Sequence, residues 1–325
     1  MVLTRRRILN LNIASVSSLG FGFALGLTAS CTFAFAGDGV SSRRSTIDPA
    51  LNQVRILMRE KRFNEASAPL DAYLRKFPNS SVALIYRSRC YVDDSKYPQA
   101  IQCLAAAEKV DPTNSEVYAS QAEIYATLKQ YDKALAASSA SIKYRKGYQN
   151  KQMFHLRSMM YSALGQYKKA IEDMSTYLRI DPEKHRAYMW RGTAYEQDGQ
   201  LDKALADYEV GLDKSKSYEY RFHIARVLQK KGRMSDAIAQ MTALIKQNPD
   251  EDEAWNKRAT LYFESGKYKE AISDYTEAIE TNFGAGETLY RARGKAYEKL
   301  GKRDLAQRDF KKAEELQRKP TVSPI

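Results

Sequence analysis

Along most of the chain, small and large apolar residues recur at a spacing that belongs to paired helices. A small residue is followed four positions later by a large one and seven positions later by another core-type residue, all on one face of a helix. The small anchors are Ala66, Ala100, Ala134, Ala170, Ala204, Ala237, Ala271 and Ala306, separated by 34, 34, 36, 34, 33, 34 and 35 residues. A period of this length means an array of stacked units in which each unit buries its apolar face on its neighbours. Nine residues before the anchor stands Tyr91, Tyr125, Tyr161, Tyr195, Tyr262 or Tyr297, with Leu57 and Leu228 in the other two units. A bulky residue opposite a small one lets two antiparallel helices approach closely. Five residues before the anchor lies Gly165, Gly199, Gly232, Gly266 or Gly301, where the first helix must end on a left-handed residue. Lys61, Ser95 and Lys129 hold that place in the first three units. Twelve residues after the anchor, Pro78, Pro112, Pro182 or Pro249 stops the second helix. The pattern predicts about eight helical hairpins, near 47–80, 81–114, 115–150, 151–184, 185–217, 218–251, 252–286 and 287–320. Two extra residues around Lys146-Gly147-Tyr148-Gln149-Asn150 predict a bend there.

The period, together with Tyr188-Met189-Trp190-Arg191-Gly192-Thr193-Ala194-Tyr195 and Trp255-Asn256-Lys257-Arg258-Ala259-Thr260-Leu261-Tyr262, resembles the tetratricopeptide repeat family. The resemblance covers residues 47–320, and the first unit is the most divergent, resting on Ala66, Leu70 and Pro78. It implies an all-α, right-handed superhelical solenoid whose first helices line a concave groove for a protein or peptide segment. Positions six before, two before and one after the tyrosine share that helix face. They supply Arg55, Ile85, Arg89, Val92, Glu123, His155, Met159, Met189, Glu196, Phe222, Arg226, Phe263, Arg291 and Lys295. Arg, Met and Phe are residues that anchor partners and make charge-assisted bonds. The plainer alternative is that Met159, Met189, Phe222 and Phe263 fill gaps between hairpins. Co-chaperones of the family hold a C-terminal carboxylate with a Lys and Asn set; no asparagine stands two before the tyrosine here, which disfavours that ligand.

The N-terminus has a different pattern. Arg5, Arg6 and Arg7 precede a charge-free stretch from Ile8 to Ala36 that ends in Ala34-Phe35-Ala36, the layout of an export signal cleaved after Ala36. Residues 1–36 are therefore expected to be a signal segment and 37–46 a linker. The chain is expected to be exported, as a periplasmic or cell-envelope protein. Thr4-Arg5-Arg6-Arg7-Ile8-Leu9 resembles the twin-arginine export motif. Lipidation at Cys31 and retention of the segment as an anchor are the alternatives, since about 20 apolar residues span a bilayer. The tail 321–325 is expected to be disordered.

Composition changes this picture little. The net charge is +13, falling to +10 without the three signal arginines. That excess raises the possibility of an anionic envelope component, a polymer or membrane surface, as partner. Acids interspersed along the same segments, as in Glu251-Asp252-Glu253, read instead as solvated helix faces, and no nucleic acid is expected. His155, His185 and His223 stand about one repeat apart, with no Cys or carboxylate cluster at metal-ligand spacing. No metal, cofactor, small-molecule substrate or catalysis is expected. Cys90 and Cys103 fall on the two helices of the second unit, where free buried thiols are the expected state. The sequence thus reads as a non-catalytic scaffold of the bacterial cell envelope.

Overall fold

A computed structural model describes residues 49–145, 151–281 and 286–318. The expected signal, the linker, the bend around Lys146 and the tail lie outside the described residues. Among those described, all regular structure is helical, in eight consecutive hairpins. They are α1 (Pro49–Arg59) with α2 (Phe63–Lys76), α3 (Ser81–Asp93) with α4 (Tyr97–Val110), α5 (Ser115–Thr127) with α6 (Tyr131–Tyr144), and α7 (Lys151–Ala163) with α8 (Tyr167–Ile180). Next come α9 (His185–Gln197) with α10 (Leu201–Ser215), α11 (Glu219–Lys230) with α12 (Met234–Gln247), α13 (Asp252–Glu264) with α14 (Tyr268–Thr281), and α15 (Glu287–Lys299) with α16 (Arg303–Arg318). Each helix packs on the next in sequence, so the chain forms a helical repeat solenoid.

The eight anchor alanines are all buried, at most 1% exposed. Every turn inside a hairpin has a left-handed residue at the expected place, including the non-glycine residues Lys61, Ser95 and Lys129 at φ 57–58°. The amide of the next residue closes the turn, as in Lys96 N to Tyr91 O at 2.7 Å and Gln130 N to Tyr125 O at 2.8 Å. The tyrosines nine before the anchors are only half-buried. Closest approach occurs elsewhere: Gly192 lies under the ring of Tyr208 and Gly294 under that of Phe310, with no room for a methyl group. Gly211 is tighter, since a Cβ there would fall 2.2 Å from Cε1 of Tyr220. Tyr220 is fully buried, and its hydroxyl donates to the His185 carbonyl at 2.8 Å.

Polar ties reinforce this packing. Arg157 donates from Nε and Nη2 to both oxygens of Asp173, at 2.9 and 2.7 Å, and from Nη1 to Ser139 Oγ at 3.0 Å. The carboxylate belongs to the second helix of the same hairpin and the hydroxyl to that of the preceding one. Arg191 repeats this with Asp207 and Ser175, Arg258 with Asp274 and Thr242, and Arg293 with Asp309 and Thr276. Each guanidinium also lies over the ring of the tyrosine four residues on. In hairpin two the place of the aspartate is taken by Cys103, and Arg87 pairs with Asp71 and Ser67 of the preceding hairpin instead. Cys90 is buried and Cys103 half-buried, both as free thiols, and burial raises both above the usual thiol range.

Candidate protein-binding face

The residues singled out along the first helices share a face, but they differ in what they offer. Arg291 and Lys295 on α15 are exposed. Arg55 is half-buried and donates to Asn52 Oδ1 at 2.9 Å. Met159, Met189, Phe222 and Phe263 are half-buried, with part of each side chain at the surface and part in the seams between hairpins. Ile85 is buried outright and belongs to the core of hairpin two, whereas Val92 is half-buried.

His155 on α7 lies against Trp190 of α9, ring centroids 3.5 Å apart and 19° between planes, with Tyr177 edge-on to both. Burial lowers His155 to about 4, so the imidazole is uncharged at neutral pH. The first helices of the fourth and fifth hairpins thus present an uncharged aromatic and thioether surface: His155, Trp190, Met159 and Met189.

Glu196 and Arg226 do not stand as free anchors, because they bind each other. Arg226 donates from Nε and Nη2 to the two Glu196 oxygens at 2.9 and 2.8 Å, and Lys230 approaches at 2.8 Å. Tyr208 donates to the same carboxylate at 3.1 Å. Glu196 is only 4% exposed. Desolvation pushes its carboxyl up, but the hydrogen bonds from Arg226 and Lys230 outweigh this and bring it down to about 2. His223 accepts from Arg226 at 2.9 Å and stacks on Tyr208; burial, aided by Arg226, lowers it to about 4. On α13, Lys257 donates to Gln229 Oε1 at 2.8 Å, and Gln229 donates to Glu264 at 2.5 Å. Burial pulls the Lys257 ammonium below the usual lysine range.

The early hairpins have the opposite balance. Arg89 of α3 pairs with Glu116 of α5 at 2.6 Å. Two helical turns along, Glu123 sits deep among packed side chains with only part of its surface open. Burial raises its carboxyl to about 7, with Glu116 adding to the rise and Arg89 opposing it. Of the charges on this face, the sequence indicated Arg55, Arg89, Glu123, Glu196, Arg226, Arg291 and Lys295. It missed Glu116, Lys230 and Lys257, which lie nine before, two after and five before the tyrosine place of their hairpins. Among the described residues no group of three His, Cys, Asp or Glu side chains could hold a metal ion, and no helix is long and apolar enough to cross a membrane.

Sequence profiles described as tetratricopeptide repeat match residues 57–124, 160–219, 222–286 and 288–320. Human tetratricopeptide repeat protein 13 is 32% identical over 127 residues, which are 36% of this chain and 14% of that protein. A tetratricopeptide repeat and J domain-containing co-chaperone of Cryptococcus neoformans is 26% identical over 175 residues, 50% of this chain and 33% of its own length. The chain thus spans a third or less of these curated relatives. A crystal structure of a tetratricopeptide repeat protein from Parabacteroides merdae superposes with a TM-score of 0.55 at 26% identity, covering 74% of this chain and 95% of that one.

Proposed function

The chain belongs to the tetratricopeptide repeat family, and from that premise we propose that its concave face holds a protein segment, with no catalytic step of its own. Arrays of this family are protein-interaction scaffolds and generally work without catalysis. The observation that carries the groove assignment is the run of half-buried Met159, Met189, Phe222 and Phe263 beside the His155–Trp190 stack, on successive first helices. Large apolar side chains left partly open in a row are what a partner's anchors bury. The N-terminal sequence supports the further reading that the scaffold works in the bacterial cell envelope, since residues 1–36 have the charged, apolar and small-residue order of an export signal.

The test uses the purified full chain as bait in an envelope extract. A retained protein should be lost at least about tenfold when Met159 and Phe263 are both changed to Ala, the effect of removing one anchor. Lys109→Ala with Lys143→Ala, exposed on second helices, should leave capture unchanged. Equal capture by both double variants would remove the groove assignment. Retention of lipid or glycan alone would favour binding to an anionic envelope component through Arg291, Lys295 and the general basic excess. Changing Arg5 and Arg6 to Lys tests the export route: export that continues unimpaired rejects the twin-arginine path.

A further inference from the structure

The concave face changes its charge along its length. In α5, Glu123 and Glu116 face a single cation, Arg89 of α3, whose guanidinium is already bonded to Glu116. No side-chain hydrogen bond from the described residues reaches the Glu123 carboxylate. The neighbouring α7 brings only uncharged His155 and Met159 to that face, because its Arg157 is committed to Asp173 and Ser139. Further along, the balance reverses. Arg226 and Lys230 share one carboxylate, Glu196, and Lys257 has no direct carboxylate bond, being held by the Gln229 amide that donates in turn to Glu264, with Glu253 on its own helix the other nearby acid. Exposed Lys295 on α15 extends the positive end.

From this we infer that the groove takes an extended, charge-asymmetric peptide segment: a Lys or Arg at Glu123, apolar side chains over the His155–Trp190 stack, and an acidic residue at Lys230 and Lys257. The inference rests on the groove reading above. A desolvated carboxylate lacking a donor gains most from an incoming cation, and a half-buried ammonium bonded to an amide gains most from an incoming carboxylate. Like charges at either end would be repelled, so the same residues that attract one orientation reject the reverse. Spacing follows from the architecture. The first helices of hairpins two, three and four touch in turn. With helix axes roughly 8–10 Å apart, the three steps from α5 to α11 and the fourth to α13 cover about 24–40 Å. An extended chain at about 3.3–3.6 Å per residue places the basic and acidic residues about seven to twelve positions apart. Pairing with a cation would also discharge the proton that Glu123 partly holds at neutral pH, so affinity for the basic end should rise between pH 6 and pH 8.

The experiment is selection from a displayed library of random peptides, long enough to span both ends, on the immobilised full chain. Glu123→Gln, Lys257→Gln and the groove-blocking Met159→Glu run in parallel, each checked for native helicity by circular dichroism. Wild-type selection should enrich peptides with a basic and an acidic residue at the stated spacing and apolar residues between them. Glu123→Gln should erase the basic preference alone, Lys257→Gln the acidic preference alone, and each should weaken a wild-type peptide about tenfold, the loss of one charge-assisted bond. Enriched peptides that depend on Met159 but show no charge asymmetry, or that are merely acidic and indifferent to Glu123→Gln, would overturn the inference and leave the groove reading standing. If no enriched peptide depends on Met159, both fall.

Discussion

Replacing Asp207 with Ala removes the acceptor of a two-pronged bond and leaves Arg191 in place. The Asp207 side chain is 8% exposed and that of Arg191 21%, so the guanidinium would remain largely desolvated beneath Tyr188 and Tyr195, with only Ser175 as acceptor. Breaking a fully buried pair costs about 3–5 kcal/mol. The one-fifth exposure of the arginine lets water recover part of this, so about 2–3 kcal/mol is expected for Asp207→Ala. Arg191→Met with Asp207→Ala removes both charges and keeps most of the apolar stem, and should cost only about 1 kcal/mol. Arg191→Met alone leaves the Asp207 carboxylate, 8% exposed, without its partner and should cost about 2 kcal/mol, so the double-mutant cycle should give a coupling of about 3–4 kcal/mol. The assay is urea unfolding followed by far-ultraviolet circular dichroism, with amide exchange in α9 and α10 because a repeat array need not unfold in one step. A coupling below about 0.5 kcal/mol would show that the tie contributes no more than an exposed ion pair and would refute the reasoning.

Three further outcomes are expected. Gly211→Ala should destabilise the chain by about 1–3 kcal/mol, since the added methyl collides with buried Tyr220; a thermal unfolding curve unchanged from wild type would contradict the close contact. Glu196 is lowered from its ordinary 4.5 to about 2, so its pairing stabilises the fold above about pH 4.5 and that contribution is lost as pH falls towards 2. Glu196→Gln should flatten that part of the acid unfolding profile, and an identical profile would show the pairing absent in solution. Lys129→Gly at φ 57° should stabilise by about 0.5–1 kcal/mol, because glycine adopts this backbone without a Cβ clash; a loss of stability would count against the left-handed turn.

Much of the fold is legible in the sequence because its signals are local and repeated. Anchor alanines, turn residues and terminating prolines each occupy one place per hairpin, and the helices follow them. The ties between hairpins are a different matter, although they too left a trace. Arg157, Arg191, Arg258 and Arg293 stand four before the tyrosine, and Asp173, Asp207, Asp274 and Asp309 stand three after the anchor. The first, third and sixth hairpins lack both, with Gln53 and Pro69, Gln121 and Ala137, and Ile224 and Gln240 at the two places. Arginine and aspartate are present or absent together in every hairpin but the second, where Arg87 faces Cys103, a signal hidden by treating charged residues as solvated surface. The binding face is harder still. Position in a helix says that Glu196 and Arg226 share a face, but not that they neutralise each other, since that depends on the distance between neighbouring hairpins. The uncharged state of His155 likewise depends on Trp190, which lies 35 residues away in sequence.

The arginine ties also divide the junctions of the array into two kinds. They bolt hairpin two to hairpin one, four to three, five to four, seven to six and eight to seven. Between hairpins five and six the same work passes to the Glu196 cluster and to Tyr220, on the other side of the stack. Between hairpins two and three an amide takes over, with Gln121 donating to Glu108 at 2.8 Å, and Arg89 reaches a half-exposed Glu116. Asn114 adds a bond to Ser81 across the same junction. Glu123 lies on α5 beside this junction, so a segment seated there would act as a splint across hairpins two and three, whose own ties are side-chain amides and a half-exposed ion pair.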